Sequence, residues 1–229
     1  MRVDLGLLER GPRRGRSAWV PGGFGADELG AAWGALASWG GSALGLACLF
    51  AHARRDARGA QPFVIAVGEA VRAQLPTAAR AAVLARAPLS GLYAEGHVGG
   101  ELGARLARVA DALVLVGRCE VRGAVLVLEE RGECVLLSRP ALRGAAPADA
   151  ARALEDELGP CAVLAIGPAG EQGLAFASLA VGHAPPSFVG RGGLGAAFGA
   201  LGLKALCVRA RPVEGAVASS GPGGLVGRL

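Results

Sequence analysis

The sequence predicts an α+β domain: two mixed, mostly antiparallel sheets related by a pseudo-two-fold, with few helices packed outside. Three observations predict it. Apolar runs of four or five residues recur along the chain with Gly, Pro or Ser turn signals between them. Two stretches echo each other: Ala66-Val67-Gly68-Glu69-Ala70 returns as Ala165-Ile166-Gly167-Pro168-Ala169 at an offset of 99, and Gly99-Gly100-Glu101-Leu102-Gly103-Ala104 returns as Gly192-Gly193-Leu194-Gly195-Ala196 at an offset of 92 to 93. Finally, 38 glycines stand beside only 4% aromatic residues, which points to tight turns and close backbone approach rather than a core of large rings.

The elements follow in chain order. Arg2 to Leu7 is a strand candidate, followed by a basic turn from Arg10 to Arg16. Asp27 caps a helix expected to run to about His52. Val64 to Val67 is a buried strand ending at Gly68, and Ala81 to Ala85 another, closed by Pro88 and the Ser90-Gly91 turn. Gly99-Gly100 opens a helix from Glu101 to Val109, and Ala112 to Val116 is the next strand. Ala124 to Leu128 and Cys134 to Leu137 form a hairpin around Arg131-Gly132. Ala148 to Leu158 is a helix, with Pro147 at its first turn and Gly159 at its end. Val163 to Ile166 is a strand, Gly167 to Gly170 a turn, Leu174 to Val181 extended, Gly190 to Gly195 a glycine-rich loop, and Ala205 to Val208 the last strand. The segment 212–229 reads as a flexible Gly-rich tail.

Composition removes several function classes. With 229 residues and 52% hydrophobic content the chain can bury a sizeable core, which excludes global disorder. The net charge of +5 comes from 24 basic against 19 acidic residues, with Lys204 the only lysine, and no dense basic block is interleaved with aromatics; nucleic-acid binding is not indicated. No two of Cys48, Cys119, Cys134, Cys161 and Cys207 lie closer than fifteen positions, so no zinc or iron–sulfur spacing occurs. The charged start Met1-Arg2-Val3-Asp4 is no signal peptide, and reduced thiols in a cytoplasm are expected. Leu29 to Ala53 carries no charge, but its five glycines, two serines and two tryptophans favour a buried helix over a membrane span.

The strongest local motif is Gly190-Arg191-Gly192-Gly193-Leu194-Gly195, which satisfies GxGxxG, with Glu214 nineteen residues beyond its last glycine. A dinucleotide fold requires a strand directly before the first glycine, and His183-Ala184-Pro185-Pro186 argues against one there. Adjacent glycine N–H groups beside one arginine still make an anion cradle. Glu171, after a Gly-Pro-Ala-Gly turn, is expected to pin that turn rather than act as a base, and Cys161 to be a small core residue.

In order and spacing, Val163-Leu164-Ala165-Ile166-Gly167-Pro168-Ala169-Gly170-Glu171, Phe176-Ala177, the Gly190–Gly195 block with Ala196, and Leu203-Lys204-Ala205 resemble the N-terminal domain of the aldehyde ferredoxin oxidoreductases. Arg80, Pro88-Leu89-Ser90-Gly91, Gly99-Gly100 and Gly103 are similar to that family's other pterin-contacting segment. The resemblance implies a domain over residues 1–211, with repeats at about 60–118 and 160–209, that cradles a tungstopterin (or molybdopterin) bis-dithiolene cofactor. Carried over by position, Arg80, His97 and Gly99 would contact one arm, and Arg191, Gly192, Leu194 and Gly195 the other. His97 stands where the family usually has Asn, and it too can donate a hydrogen bond.

The family's reaction is oxidation of an aldehyde to a carboxylate, with electrons leaving through a 4Fe-4S cluster to ferredoxin. The cluster ligands and the substrate-handling residues lie in later domains with no counterpart in this sequence. The resemblance therefore implies a cofactor floor without catalytic residues or metal ligands of its own, silent in isolation and completed by a second subunit that covers a broad apolar face. A non-catalytic remnant or cofactor-handling module of the same fold, and a nucleotide-binding α+β enzyme using the Gly190–Gly195 loop, are the alternative readings.

Overall fold

A computed structural model describes residues 4–8, 40–55, 61–73 and 75–211. The basic turn at 10–16, the first half of the helix expected from Asp27 and the tail at 212–229 lie outside them. The elements are β1 (Asp4–Leu8), α1 (Gly41–Arg55), β2 (Phe63–Val67), α2 (Glu69–Arg72), β3 (Ala81–Arg86), β4 (Tyr93–Val98), α3 (Leu102–Val109), β5 (Ala112–Val116), β6 (Ala124–Leu128), β7 (Cys134–Ser138), α4 (Pro147–Leu158), β8 (Ala162–Ile166), α5 (Pro168–Glu171), β9 (Leu179–Val181), β10 (Ser187–Val189), α6 (Leu194–Ala200) and β11 (Leu203–Val208). No helix among the described residues is long and apolar enough to cross a membrane.

The fold is α+β with two sheets. The first runs β1-β5-β2-β3-β4 and is antiparallel throughout. The second runs β10-β9-β8-β11-β6-β7, with β11–β6 its parallel pair. The mixed character expected of both sheets thus belongs to the second alone. A parallel pair needs a long crossover, and the chain between β6 and β11 supplies one.

The strands read as continuous apolar runs because both faces of each sheet are covered. In β2, Phe63, Ile65 and Val67 face the space between the sheets, while Val64 and Ala66 pack under α1 with Leu44 and Cys48. In the second sheet Leu164, Ile166, Leu206 and Val208 face inward, while Val163, Ala165, Ala205 and Cys207 pack under Ala150 and Leu154 of α4. Leu102, Leu106 and Val109 of α3, and Leu194 and Phe198 of α6, share the central core with both sheets. Phe198 meets Phe63 edge-on with ring centroids 5.2 Å apart. Only α1 and α4 therefore match the outer helices expected; α3 and α6 lie between the sheets. Small residues make that possible, since a Cβ at Gly195 would overlap the Ser178 carbonyl and one at Gly199 the Gly170 carbonyl.

Four local readings change. Tyr93–Val98 is a strand although only alternate residues are apolar, because its other face carries a polar network. Within the stretch expected to be extended, only Leu179–Val181 is a strand, and the Gly167–Gly170 turn continues into α5. A strand also directly precedes the glycine loop: Pro185 and Pro186 end just before β10 and remove no ladder hydrogen bond from it. This strand–loop–helix is not a dinucleotide unit, for β10 is an antiparallel edge strand and α6 leads to β11, which runs against β10.

Candidate functional site

The site residues assemble where the edges of the two sheets meet. Strand β4 ends the first sheet and β10 ends the second. A Cβ at Gly96 would overlap the Val189 side chain, so glycine there lets the two edges touch. Gly99 N–H donates to Ser187 Oγ at 3.1 Å, and a Cβ at Gly192 would lie 2.7 Å from that of Ala94. The pairs Gly99–Ser187, Gly96–Val189 and Ala94–Gly192 show the edges running in opposite directions. Ala94 and Gly99 are about 16 Å apart at roughly 3.3 Å per residue.

A glycine block lies at each end of this seam, in the same place in the chain path. Gly99-Gly100 follows β4 and opens α3; Gly190 to Gly193 follows β10 and opens α6. Gly100, Gly192 and Gly193 take the left-handed conformation, with φ of +80°, +74° and +66°. The Ala81–Val98 pairing sets Arg80 across from Gly99. Arg80 and Arg191 are both exposed, and neither makes a hydrogen bond or ion pair among the described residues. Arg80, His97 and Gly99 are thus brought together at one end, and Arg191 and Gly192 at the other. Leu194 and Gly195 anchor the second block: the Leu194 side chain is fully buried, and Gly195 N–H donates to Ala177 O at 2.9 Å.

His97 belongs to a network the sequence did not reveal. Tyr93, Glu95 and His97 alternate along β4 on the face away from the central core. Glu95 accepts hydrogen bonds from Ser42 of α1 and from Tyr93, and His97 Nε2 lies 2.9 Å from Glu95 Oε1. Burial acts to raise the Glu95 carboxyl, but the bonds from Ser42 and Tyr93 and the His97 neighbour outweigh it and hold it below the ordinary carboxylate value. Burial, then Glu95, pushes the Tyr93 hydroxyl up. The imidazole is 48% exposed, oriented by Glu95 with its other nitrogen left over.

Glu171 holds a different loop from the Gly167–Gly170 turn it is expected to pin: it accepts Gly144 N–H and pairs with Lys204 Nζ, whose side chain is only 2% exposed. Cys161 is buried beside Val163 and Cys207 in the core under α4. Around Arg191 the loops are unusually apolar. A Cβ at Gly193 would overlap the Ala175 carbonyl and lie 3.2 Å from Pro88, which brings the loops of Leu89 and Phe176, 81% and 76% exposed, to the same end of the seam. Among the described residues no group of three His, Cys, Asp or Glu side chains could hold a metal ion. Each end of the seam carries an exposed arginine beside a glycine block, chemistry suited to holding an anionic ligand.

Residues 32–210 match the family described as the aldehyde ferredoxin oxidoreductase N-terminal domain, and the chain belongs to that family. The tungsten-containing aldehyde ferredoxin oxidoreductase of Pyrococcus abyssi is 32% identical over 150 residues, which is 64% of this chain and 24% of that protein. The Pyrococcus furiosus protein of the same name is 32% identical over 149 residues, with 63% and 24% covered. The chain thus spans about a quarter of the length of the curated relatives it matches. In three dimensions it is similar to a chain of the active-site complex BamBC of benzoyl coenzyme A reductase, with a TM-score of 0.68 at 23% identity over 78% of this chain and 28% of that one. That likeness concerns the fold.

Proposed function

We propose that this chain is the floor on which a tungsten or molybdenum bis-pterin cofactor rests in an aldehyde:ferredoxin-type oxidoreductase, completed by a partner carrying the 4Fe-4S cluster and the substrate pocket. The single observation that carries the reading is the pairing of one unpartnered arginine with one glycine block at each end of the seam. The residues fit the group. Pterin phosphates are dianionic, a guanidinium offers a planar fork to phosphate oxygens, and no atom lies within 4 Å of where a Gly190 Cβ would stand, so the backbone there is open to a ligand. When bound, the cofactor supplies the metal centre for oxidation of an aldehyde to a carboxylate.

The chain's own residues bind and orient. Arg80 and Arg191 hold the two anionic ends, Gly99 and Gly192 let the two sheet edges close beneath the ligand, and His97, oriented by Glu95, donates from its free nitrogen. Leu194 and Gly195 keep the second block in register with the first. The connectivity β2–α2–β3–β4–α3–β5 recurs as β8–α5–β9–β10–α6–β11, with pairing orders β5-β2-β3-β4 and β11-β8-β9-β10; we read this as a duplication about a pseudo-two-fold through the seam, suited to a ligand with two similar arms. The exposed Leu89 and Phe176 loops are where the remaining domains or second subunit dock, in a cytoplasmic setting with ferredoxin as acceptor.

The test is tungsten, molybdenum and pterin counted per chain after anaerobic purification from the native host. Arg80→Ala/Arg191→Ala should lose most of the cofactor with an unchanged circular dichroism spectrum, since each charge-assisted contact contributes about 1.5–3 kcal/mol, roughly 10- to 150-fold in affinity. Arg191→Lys should recover only part. Wild-type pterin content in the double variant would refute the reading.

A further inference from the structure

We propose that the cavity between the β5–β6 connection and the start of β11 binds an organic phosphate, its phosphates on Arg118, Arg122 and Arg143 and its apolar body in the adjoining cavity. The first cavity holds about 570 Å³. Arg118 and Arg122 come from the segment joining β5 to β6, and Arg143 from the loop leading to α4; all three are exposed. None makes a side-chain hydrogen bond or ion pair among the described residues. Lys204 also lines the wall, but its charge is neutralised by Glu171. That leaves Glu120 as the remaining acid against three guanidinium groups around one void. Three cations facing one acid leave an excess of positive charge that attracts an anion, and three forks suit phosphate oxygens.

Arg118 joins this cavity to a second one of about 590 Å³, walled by Phe63, Ala197, Ala200 and Leu201. Arg86, also on that wall, is tied to its own turn, its Nε donating to Gly91 O at 2.6 Å. One cavity is therefore cationic and the next apolar, with a shared arginine between, which fits a ligand with an anionic head and an apolar body. Both volumes fall in the usual range for small-molecule sites. Neither cavity is lined by Arg80, His97, Gly99 or Arg191, although the apolar one shares Pro88 and Gly91 with the loop beside the seam.

The experiment is calorimetric titration of the 229-residue chain with ADP, pyrophosphate, sulfate and poly-glutamate at one ionic strength. ADP should bind at least about tenfold more tightly than pyrophosphate, and pyrophosphate more tightly than sulfate, by the usual tenfold per 1.4 kcal/mol. Arg118→Ala/Arg143→Ala should weaken ADP and pyrophosphate by more than about tenfold. Arg122→Gln, a milder change at an exposed position, gives a second reading should the double variant fail to fold. Ala200→Phe, which fills the apolar cavity, should bring ADP down to the pyrophosphate level without weakening pyrophosphate. Arg108→Ala, at an exposed arginine that lines neither cavity, should change neither. Equal affinity for ADP and pyrophosphate, arginine variants that bind like the parent, sulfate binding as tightly as pyrophosphate, or poly-glutamate binding as tightly as ADP would each overturn the proposal.

Discussion

In the first half of the molecule Arg72, on the short helix after β2, pairs with Asp111 at the head of β5, Nη1 to Oδ2 at 3.0 Å. In the second half Glu171, on the short helix after β8, pairs with Lys204 at the head of β11. Residues 72 and 171 differ by the 99 of the first sequence echo, and 111 and 204 by the 93 of the second. The same joint between a short helix and the last strand is thus closed twice, with the charges exchanged. Chain path determines where a bridge is needed; which partner carries the cation is free. The two joints differ in insulation. The Arg72 side chain is 12% exposed and also reaches Glu69, whereas Lys204 is 2% exposed and depends on Glu171 and one carbonyl, Ala145 O.

That difference can be broken by mutation. Glu171→Ala strands a buried ammonium and should cost about 3–5 kcal/mol, on the order of a 10 °C fall in Tm, read by thermal unfolding. Adding Lys204→Met to that background should restore most of the loss, because the cost lies in the uncompensated charge. Asp111→Ala should cost less, about 1–2 kcal/mol, since Arg72 keeps Glu69 and some water. Equal losses at the two joints would show that burial does not separate them.

Positions within the glycine blocks differ in a similar way. A Cβ at Gly195 would overlap a backbone carbonyl, while one at Gly99 would meet only Ser187 Oγ at 3.4 Å. Gly195→Ala should cost about 3 kcal/mol and Gly99→Ala under about 1 kcal/mol in denaturant unfolding, with the latter hydroxyl able to rotate away. A Cβ at Gly103, the counterpart of Gly195 in the first block, would likewise overlap a carbonyl, that of Ala79, so the slack belongs to Gly99 rather than to the whole block.

The smallest expected effect is in the polar network on β4, which the three-residue strand β10 has no length to reproduce. The Glu95 carboxyl is held below its ordinary value of 4.5, so its contribution to stability is present above that value and is lost as pH falls through the lower folded value. Glu95→Gln should therefore flatten the acid limb of the stability–pH curve below about pH 4.5, with little change at pH 7. An unchanged acid limb would assign that loss to other carboxylates.

Much of the fold was legible in the residues. Val64 to Val67, Ala112 to Val116, Ala124 to Leu128 and Val163 to Ile166 are strands wherever they are placed, because sheets covered on both faces select unbroken apolar runs. Tyr93–Val98 escaped notice for the converse reason: Glu95 and His97 interrupt the apolar run, and only Ser42, 53 residues away, accounts for a carboxylate there. Helix α6 escaped because Gly195 and Gly199 read as loop residues until the carbonyls of Ser178 and Gly170 show why no side chain fits. The family resemblance singles out Arg80, Arg191 and the two glycine blocks as candidate site residues, and the structure sets them along one seam.

What the sequence by itself determined, then, is the set of strands, the two glycine blocks, the arginine beside each and the family they resemble, for each is written in neighbouring residues. The tertiary structure alone decided that the edges of two sheets meet along β4 and β10, that α3 and α6 lie between those sheets, that the arginines stand at opposite ends of one seam, and that Arg118, Arg122 and Arg143 surround one cavity. These depend on which strand lies beside which. The backbone hydrogen bonds that join strands are alike for every residue, so the choice of partner is made by side-chain packing between positions far apart in the chain.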